Sequence, residues 1–284
     1  MNLLEGGHGD DFHVLEGPLT RQGLDFRPHR RHPVPRLHLR RTDSTNDRAR
    51  ALAIAGAPHG TLVTAREQTA GRGRQGRRWS APAGSALLAS LVLRSAAHTA
   101  QGAGAGGAPS RSARLPQLLP LIAAVAVCDV AGPDAQIKWP NDIVLVRDSG
   151  LAKLAGILAE GRPQDGWAVL GIGLNVAVRL DDLPPELRAS AATLGEPQAA
   201  IEPALGELLR ALERRLGETA DATLQAYRAR DALRGRDIAW AAGHGRAEGI
   251  DGEGRLVVAL EQGGHATLRA GEVHLRRARR RRRP

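Results

Sequence analysis

The 284-residue sequence predicts an α+β fold, on three patterns. Between residues 135 and 178 short apolar runs alternate with turns (QIKW, DIVLV, KLAGILAE, WAVLGIGLNVAV), the cadence of strands in one sheet. Residues 115–132 and 202–230 carry helical spacing instead. Beyond residue 233 the chain returns to short strands broken by glycine turns, which suits a small β-barrel or sandwich and puts a domain boundary there.

Taken in order, residues 1–36 are rich in Gly, His, Arg and Pro without a sustained period and read as a disordered leader. LHLRRTDSTNDRARALAIAG (37–56) reads as a short strand, a polar turn and a helix, with Asp43 or Ser44 at the N-cap, Ala49, Leu52 and Ala53 on the apolar side and Gly56 as the stop. TLVTA (61–65) and SALLASLVL (85–93) are β-type runs flanking a glycine-arginine loop over residues 66–78. Residues 96–113 are low-complexity and fit a surface insertion. LPQLLPLIAAVAVCDVAG (115–132) fits a buried helix, and Leu205, Leu208, Leu209, Leu212 and Leu216 share one side of a later helical stretch. The final residues, 277–284, form a polyarginine tail expected to be disordered.

Composition narrows the function classes. With 42% hydrophobic and 25% charged residues the chain is too apolar to be intrinsically disordered as a whole. Its longest apolar run, Leu118–Cys128, contains Pro120 and falls well short of the roughly 20 residues that span a bilayer. Acidic residues near the N-terminus replace the basic and apolar regions of an export signal, so a cytoplasmic location is expected. A single cysteine, Cys128, excludes an intramolecular disulfide and a zinc site of several thiolates. The ten histidines show no metal-ligand spacing. The net charge of +10 invites a nucleic-acid reading. Residues 276–284 hold seven arginines and residues 27–41 hold six with no acid; removing those thirteen charges leaves −3 for the remainder. The basicity therefore belongs to two arms.

Of 40 basic residues only two are lysines, Lys138 and Lys153, which marks both as sites where a compact ammonium matters or as chance survivors. The densest chemical signal is REQTAGRGRQGRRW (66–79). Gly71, Gly73 and Gly76 fit G-x-G-x-x-G, but Pro82 and Gly84 break the helix that motif must open, and no acid follows at the required distance. A Gly-Lys-Ser/Thr is also absent, which removes the P-loop. What remains is a glycine-permitted loop carrying Arg72, Arg74, Arg77 and Arg78, either an anion-binding loop or a basic solvated turn. Asn141 and Asp142, with Lys153 on the next strand, meet at one end of a sheet if the two strands form a hairpin, where Asp can hold Mg²⁺ through water. Ser44, Thr45 and Asn46 at a helix mouth suit a small polar head group, or simple N-capping.

Read together, DSTN (43–46), EQTAGRGRQGRRW (67–79), KWPNDI (138–143), KLAGILAE (153–160), GIGLNV (171–176) and GEVHLR (271–276) resemble the biotin–protein ligases, which attach biotin to carboxylase carrier domains. The resemblance runs from about Leu37 to Arg276. It implies an α+β catalytic domain with a mixed sheet like that of class II tRNA synthetases over residues 37–232, and a small SH3-like β-barrel over residues 233–276. It also implies ATP, biotin and Mg²⁺ as ligands, and the biotin carboxyl carrier protein of acetyl-CoA carboxylase, or another biotin-dependent carboxylase, as partner.

Residue by residue, the resemblance assigns Ser44, Thr45, Asn46, Gln68, Arg72, Gly73, Arg74, Lys153 and Gly156 to biotin, and Lys153 and Arg74 to the reacting groups. Gly71, Arg74, Arg77, Trp79, Asn141 and Asn175 fall to the nucleotide and Asp142 to Mg²⁺. Some members open with a DNA-binding winged helix; 36 leader residues are too few for one, so ligase activity without a repressor function is expected, together with a possible homodimer paired through its sheet. The insertion and the polyarginine tail depart from the family pattern. A lipoate–protein ligase shares fold and chemistry but not the loop GRGRQGRRW, and a nucleic-acid-binding protein would use the arms.

Overall fold

A computed structural model describes residues 12–14, 35–94, 115–162, 165–269 and 271–276; most of the leader, the 96–113 insertion and the polyarginine tail lie outside the described residues. Eight strands form the main sheet: β1 (Phe12–Val14), β2 (Arg36–Leu39), β3 (Leu62–Ala65), β4 (Ala86–Arg94), β5 (Ala135–Lys138), β6 (Asp142–Arg147), β7 (Gly150–Arg162) and β8 (Trp167–Asn175). Their order is β1-β2-β3-β4-β8-β7-β6-β5. Only β2 and β3 run parallel, joined by helix α1 (Thr45–Ile54) as such a crossover requires, so the sheet is mixed. The remaining helices are α2 (Leu115–Ala131), α3 (Pro185–Arg188), α4 (Ile201–Gly217) and α5 (Ala220–Arg228).

Both faces of the sheet centre are covered, which is why β4 reads as a continuous apolar run. Leu87, Ala89, Leu91 and Leu93 join α2 and α4 in the large core, while Val92 joins Ala49 and Ala53 of α1 on the opposite face. Ser90, on the α1 face, is fully buried and points at the N-terminus of that helix. Ser44 caps α1, its hydroxyl accepting from Asp47 N at 3.4 Å. Residues 118–128 of α2 are buried apart from a half-buried Pro120, as the uniformly apolar sequence requires. Burial pushes the Cys128 thiol up to about 12, leaving it no nucleophilic role.

The helical stretch over 202–230 breaks in two. Glu218 leaves helical geometry and Thr219 caps α5 by accepting from Ala222 N at 3.2 Å, so a capping hydroxyl inside an apparently continuous period starts a new helix. The apolar side of α4 carries Leu205, Leu208, Leu209 and Leu212 into the core, and Arg215 grips Asp129 of α2 through two bonds of 2.8 and 2.9 Å. Leu208 is 1% exposed, and Leu208→Ala is expected to lower unfolding free energy by roughly 2–5 kcal/mol, read as a lower urea midpoint at unchanged slope.

The C-terminal strands are β9 (Asp237–Trp240), β10 (Gly243–Ile250), β11 (Leu256–Ala259), β12 (His265–Leu268) and β13 (His274–Leu275), all antiparallel in the order β12-β11-β10-β9-β13. Among the described residues no pairing joins β12 to β13, and β13, two residues long, pairs with β9. Ile238, Ala247, Ile250, Leu256, Val258 and Val273 enter the same core as α2. Gly254 makes this contact possible: at φ +76°, a Cβ there would lie 2.5 Å from Leu121 Cδ1. Its carbonyl accepts from Trp139 Nε1 at 3.1 Å. No helix among the described residues is long and apolar enough to cross a membrane.

Candidate active site

A solvent-open cleft lies on the α1 face of the sheet. Its walls are the mouth of α1, the 68–79 loop, the Lys138–Asp142 turn, strands β7 and β8, and Gly271–Val273 just before β13.

Strand alternation alone would not bring Lys153 there. On β7, Ala155 and Ile157 face the core while Gly156 and Leu158 line the cleft, so an odd-numbered Lys153 belongs on the core side. The pairing register with β6 shifts between Ile143 and Val144, whose partners are Ala155 and Lys153, so Leu154 is the extra residue of a bulge. The bulge turns Leu154 into the core and Lys153 into the cleft, where Nζ lies 2.7 Å from Asp142 Oδ1 and 5.7 Å from the Trp79 ring centroid. The Lys153 backbone is clamped by Ser190 O and Ala192 N at 2.6 and 2.7 Å.

Trp79 lies flat on the sheet because glycines leave it room. A Cβ at Gly173 would come within 2.5 Å of the indole, and one at Gly156 within 3.1 Å. Its buried Nε1 has no hydrogen-bond partner among the described residues.

Neutral polar groups fill the α1 end of the cleft. Gln68 Oε1 accepts from Thr45 N at 2.7 Å and Thr45 Oγ1 at 3.0 Å, which orients its amide. Ser90 Oγ lies 2.8 Å from Thr45 Oγ1 and 2.7 Å from Asn46 Oδ1, and Asn46 Nδ2 donates to Glu160 Oε2 at 2.9 Å. Gly171 leaves space for this amide, since a Cβ there would overlap Asn46 Oδ1.

Arg72 stands at this end too, while cations dominate the other: Arg74, Arg77, Arg78, Lys138 and Lys153 line the cleft against two carboxylates, Asp142 and Glu272. The arginines are not equivalent. Arg72 is bound to Asp47 and Glu160, and Arg77 pairs with Glu272 just before β13. Arg78 donates to Thr69 O at 2.7 Å. Arg74 donates to Asn141 Oδ1 at 3.3 Å and makes no ion pair among the described residues. Burial lowers the pKa of Arg74, with Asp142 opposing. Burial also lowers that of Lys138, Asp142 opposing and Lys153 and Arg77 reinforcing the shift.

Of the residues singled out in the sequence, Ser44, Thr45, Asn46, Gln68, Arg72, Gly73, Arg74, Arg77, Trp79, Asn141, Asp142, Lys153 and Gly156 line one cleft. Gly71 and Asn175 do not. Gly71 is a buried residue within the loop, its carbonyl accepting from Trp79 N at 2.8 Å. Asn175 is 7% exposed and donates to Ala192 O at 2.8 Å, bracing the segment that clamps Lys153. Sequence reasoning missed Ser90, Glu160, Gly171, Gly173 and Glu272. Glu160 and Glu272 stand inside quoted motifs, where an acid among basic segments was the available signal; Ser90 had none.

No group of three or more His, Cys, Asp or Glu capable of holding a metal occurs among the described residues. Asp142 is a single carboxylate already bonded to Lys153, a donor set that suits a Mg²⁺ ion held mainly by phosphate oxygens and water.

Residues 38–176 match the Biotin/lipoate A/B protein ligase family. The chain is 36% identical over 247 residues to the biotin--[acetyl-CoA-carboxylase] ligase of Mycobacterium tuberculosis, covering 83% of this chain and 87% of that protein. It is 38% identical over 160 residues to the bifunctional ligase/repressor BirA of Bacillus spizizenii, a match that covers 54% of this chain and spans less than half, 44%, of that relative's length. The fold matches that of a biotin protein ligase from Aquifex aeolicus in complex with biotin and ATP, with a TM-score of 0.65 at 24% identity over 86% of this chain and 99% of that one. A relative more than one-third identical along most of both chains settles kinship: this protein is a member of the biotin/lipoate A/B protein ligase family.

Proposed function

We propose that the protein activates biotin with ATP to biotinyl-5'-AMP and then transfers biotin to a specific lysine of a biotin carboxyl carrier protein. The observation that carries this reading is one cleft with a neutral, hydrogen-bonded end at Thr45, Asn46 and Gln68 and a cationic end at Arg74, Lys138 and Lys153. A ureido ring suits the first end; a carboxylate meeting a triphosphate needs the second.

In the first step a biotin carboxylate oxygen bonds to the α-phosphorus while the bond to the β-phosphate oxygen breaks, and its electron pair leaves with pyrophosphate. Two unit negative charges at 4 Å repel by about 4 kcal/mol at an effective dielectric of 20, so fixed cations are required. Lys153 and Arg74 supply them beside the reacting atoms, and Lys138 and Arg77 extend the positive field toward the leaving group. Asp142 would hold Mg²⁺ on the phosphates, which supplies further charge neutralisation. Ser44, Thr45, Asn46, Gln68, Gly73 and Gly156 shape the biotin end, and Trp79 and Asn141 serve the nucleotide. Gly71 and Asn175 act indirectly, through Trp79 and the Lys153 clamp.

In the second step the carrier's lysine amine attacks the mixed anhydride carbonyl, forms the amide and expels AMP, losing its proton to solvent. The protein needs no nucleophile, and no cysteine or histidine lines the cleft among the described residues. The same reading places the enzyme in the cytoplasm, where carboxylases work. The test is transfer to a purified carrier domain with ATP and either biotin or lipoate, read by intact mass. One biotin per carrier, abolished by replacing the acceptor lysine with arginine, is expected; transfer of lipoate instead would overturn the substrate assignment.

A further inference from the structure

We infer that Glu160 is a positioning residue that latches the arginine loop shut over the biotin end of the cleft. The inference rests on the proposed function for its kinetic consequence, not for its structural one. Glu160 lies on β7, beyond the bulge, on the face that carries Gly156 and Leu158. Its carboxylate sits between the loop and α1: Oε1 accepts from Arg72 Nη2 at 2.8 Å, and Oε2 accepts from Arg72 Nη1 at 3.1 Å and from Asn46 Nδ2 at 2.9 Å. Asp47 Oδ1 accepts from Arg72 Nη1 at 2.7 Å, so two carboxylates hold one guanidinium.

This geometry changes what Arg72 can do. A ligand carboxylate or phosphate approaching it would meet the negative charge of Asp47 and Glu160, so Arg72 serves as a strut and the free cationic work falls to Arg74. The same carboxylate fixes the Asn46 amide, whose Oδ1 faces Ser90 and whose Nδ2 faces Glu160. One residue thus orients the helix mouth and anchors the loop, joining groups 88 and 114 positions away in sequence. Its side chain is 25% exposed, so the latch is partly shielded from solvent.

The test uses the full chain with Glu160→Gln, which keeps the shape but removes the charge and offers a donor where two acceptors are needed. Trypsin should cut the loop at Arg72, Arg74, Arg77 or Arg78 about tenfold faster than in the wild type, with an unchanged global unfolding midpoint. The KM for biotin should rise about 10- to 100-fold and the KM for ATP less than threefold, with more adenylate lost to hydrolysis. Arg72→Gln should do the same, and the double variant no more than either single one. Additive effects of the two substitutions, or unchanged loop cleavage, would overturn the latch. Faster loop cleavage in a protein whose wild type shows no biotin-dependent turnover would uphold the latch and sink the activity reading alone.

Discussion

Lys153→Ala is expected to reduce biotin-dependent pyrophosphate release by about 10²- to 10⁴-fold, the largest effect of any single substitution in the cleft. The ammonium is delivered by the Leu154 bulge, seated 2.7 Å from Asp142 Oδ1, and clamped through its backbone by Ser190 and Ala192. Offsetting the roughly 4 kcal/mol of repulsion between carboxylate and phosphate corresponds to about three powers of ten in rate. Lys153→Arg should not restore the wild-type rate, because a planar fork cannot occupy the position of a compact ammonium beneath Trp79. Single-turnover measurement at saturating biotin and ATP isolates the chemical step; a fall below fivefold in Lys153→Ala would remove the residue from the reaction centre.

Gly171→Ala is the second large effect. Its added methyl overlaps Asn46 Oδ1, and Asn46 is only 4% exposed, so the amide must leave a site where it bonds to Ser90 and Glu160. Losing these two buried hydrogen bonds costs about 1–3 kcal/mol in total, which converts to a rise of roughly 5- to 150-fold in the KM for biotin. The KM for ATP should stay within threefold, since the nucleotide-side residues Trp79 and Asn141 are untouched. Initial rates over a matrix of both substrates resolve the two constants, and an equal rise in both would contradict a substitution confined to the biotin end.

Much of the fold was legible because the signals are local. The strands over 135–178 announce themselves by turn spacing, and the β2-α1-β3 unit by a capping serine and a glycine stop at Gly56. The break between α4 and α5 was hidden, since Thr219 interrupts no apolar period yet supplies a cap. Short C-terminal strands were foreseen, whereas their number, order and shared core depend on tertiary contacts such as Gly254 against Leu121. The cleft's cast was legible in outline from motif order. Its division of labour was not: Arg72, Arg74 and Arg77 look alike in GRGRQGRR, and what separates them is Glu160 at 88 positions' distance, Asn141, and Glu272 just before β13. The bulge that reverses the facing of Lys153 also leaves no mark on an alternation pattern.

The most direct test of the central claim is pyrophosphate release from ATP by the purified, folded protein, with biotin, with lipoate and with neither. The account predicts release with biotin alone, before any carrier is added, because adenylation needs only the cleft and its cations. Release with lipoate at a comparable rate, or none with either acid, would contradict it.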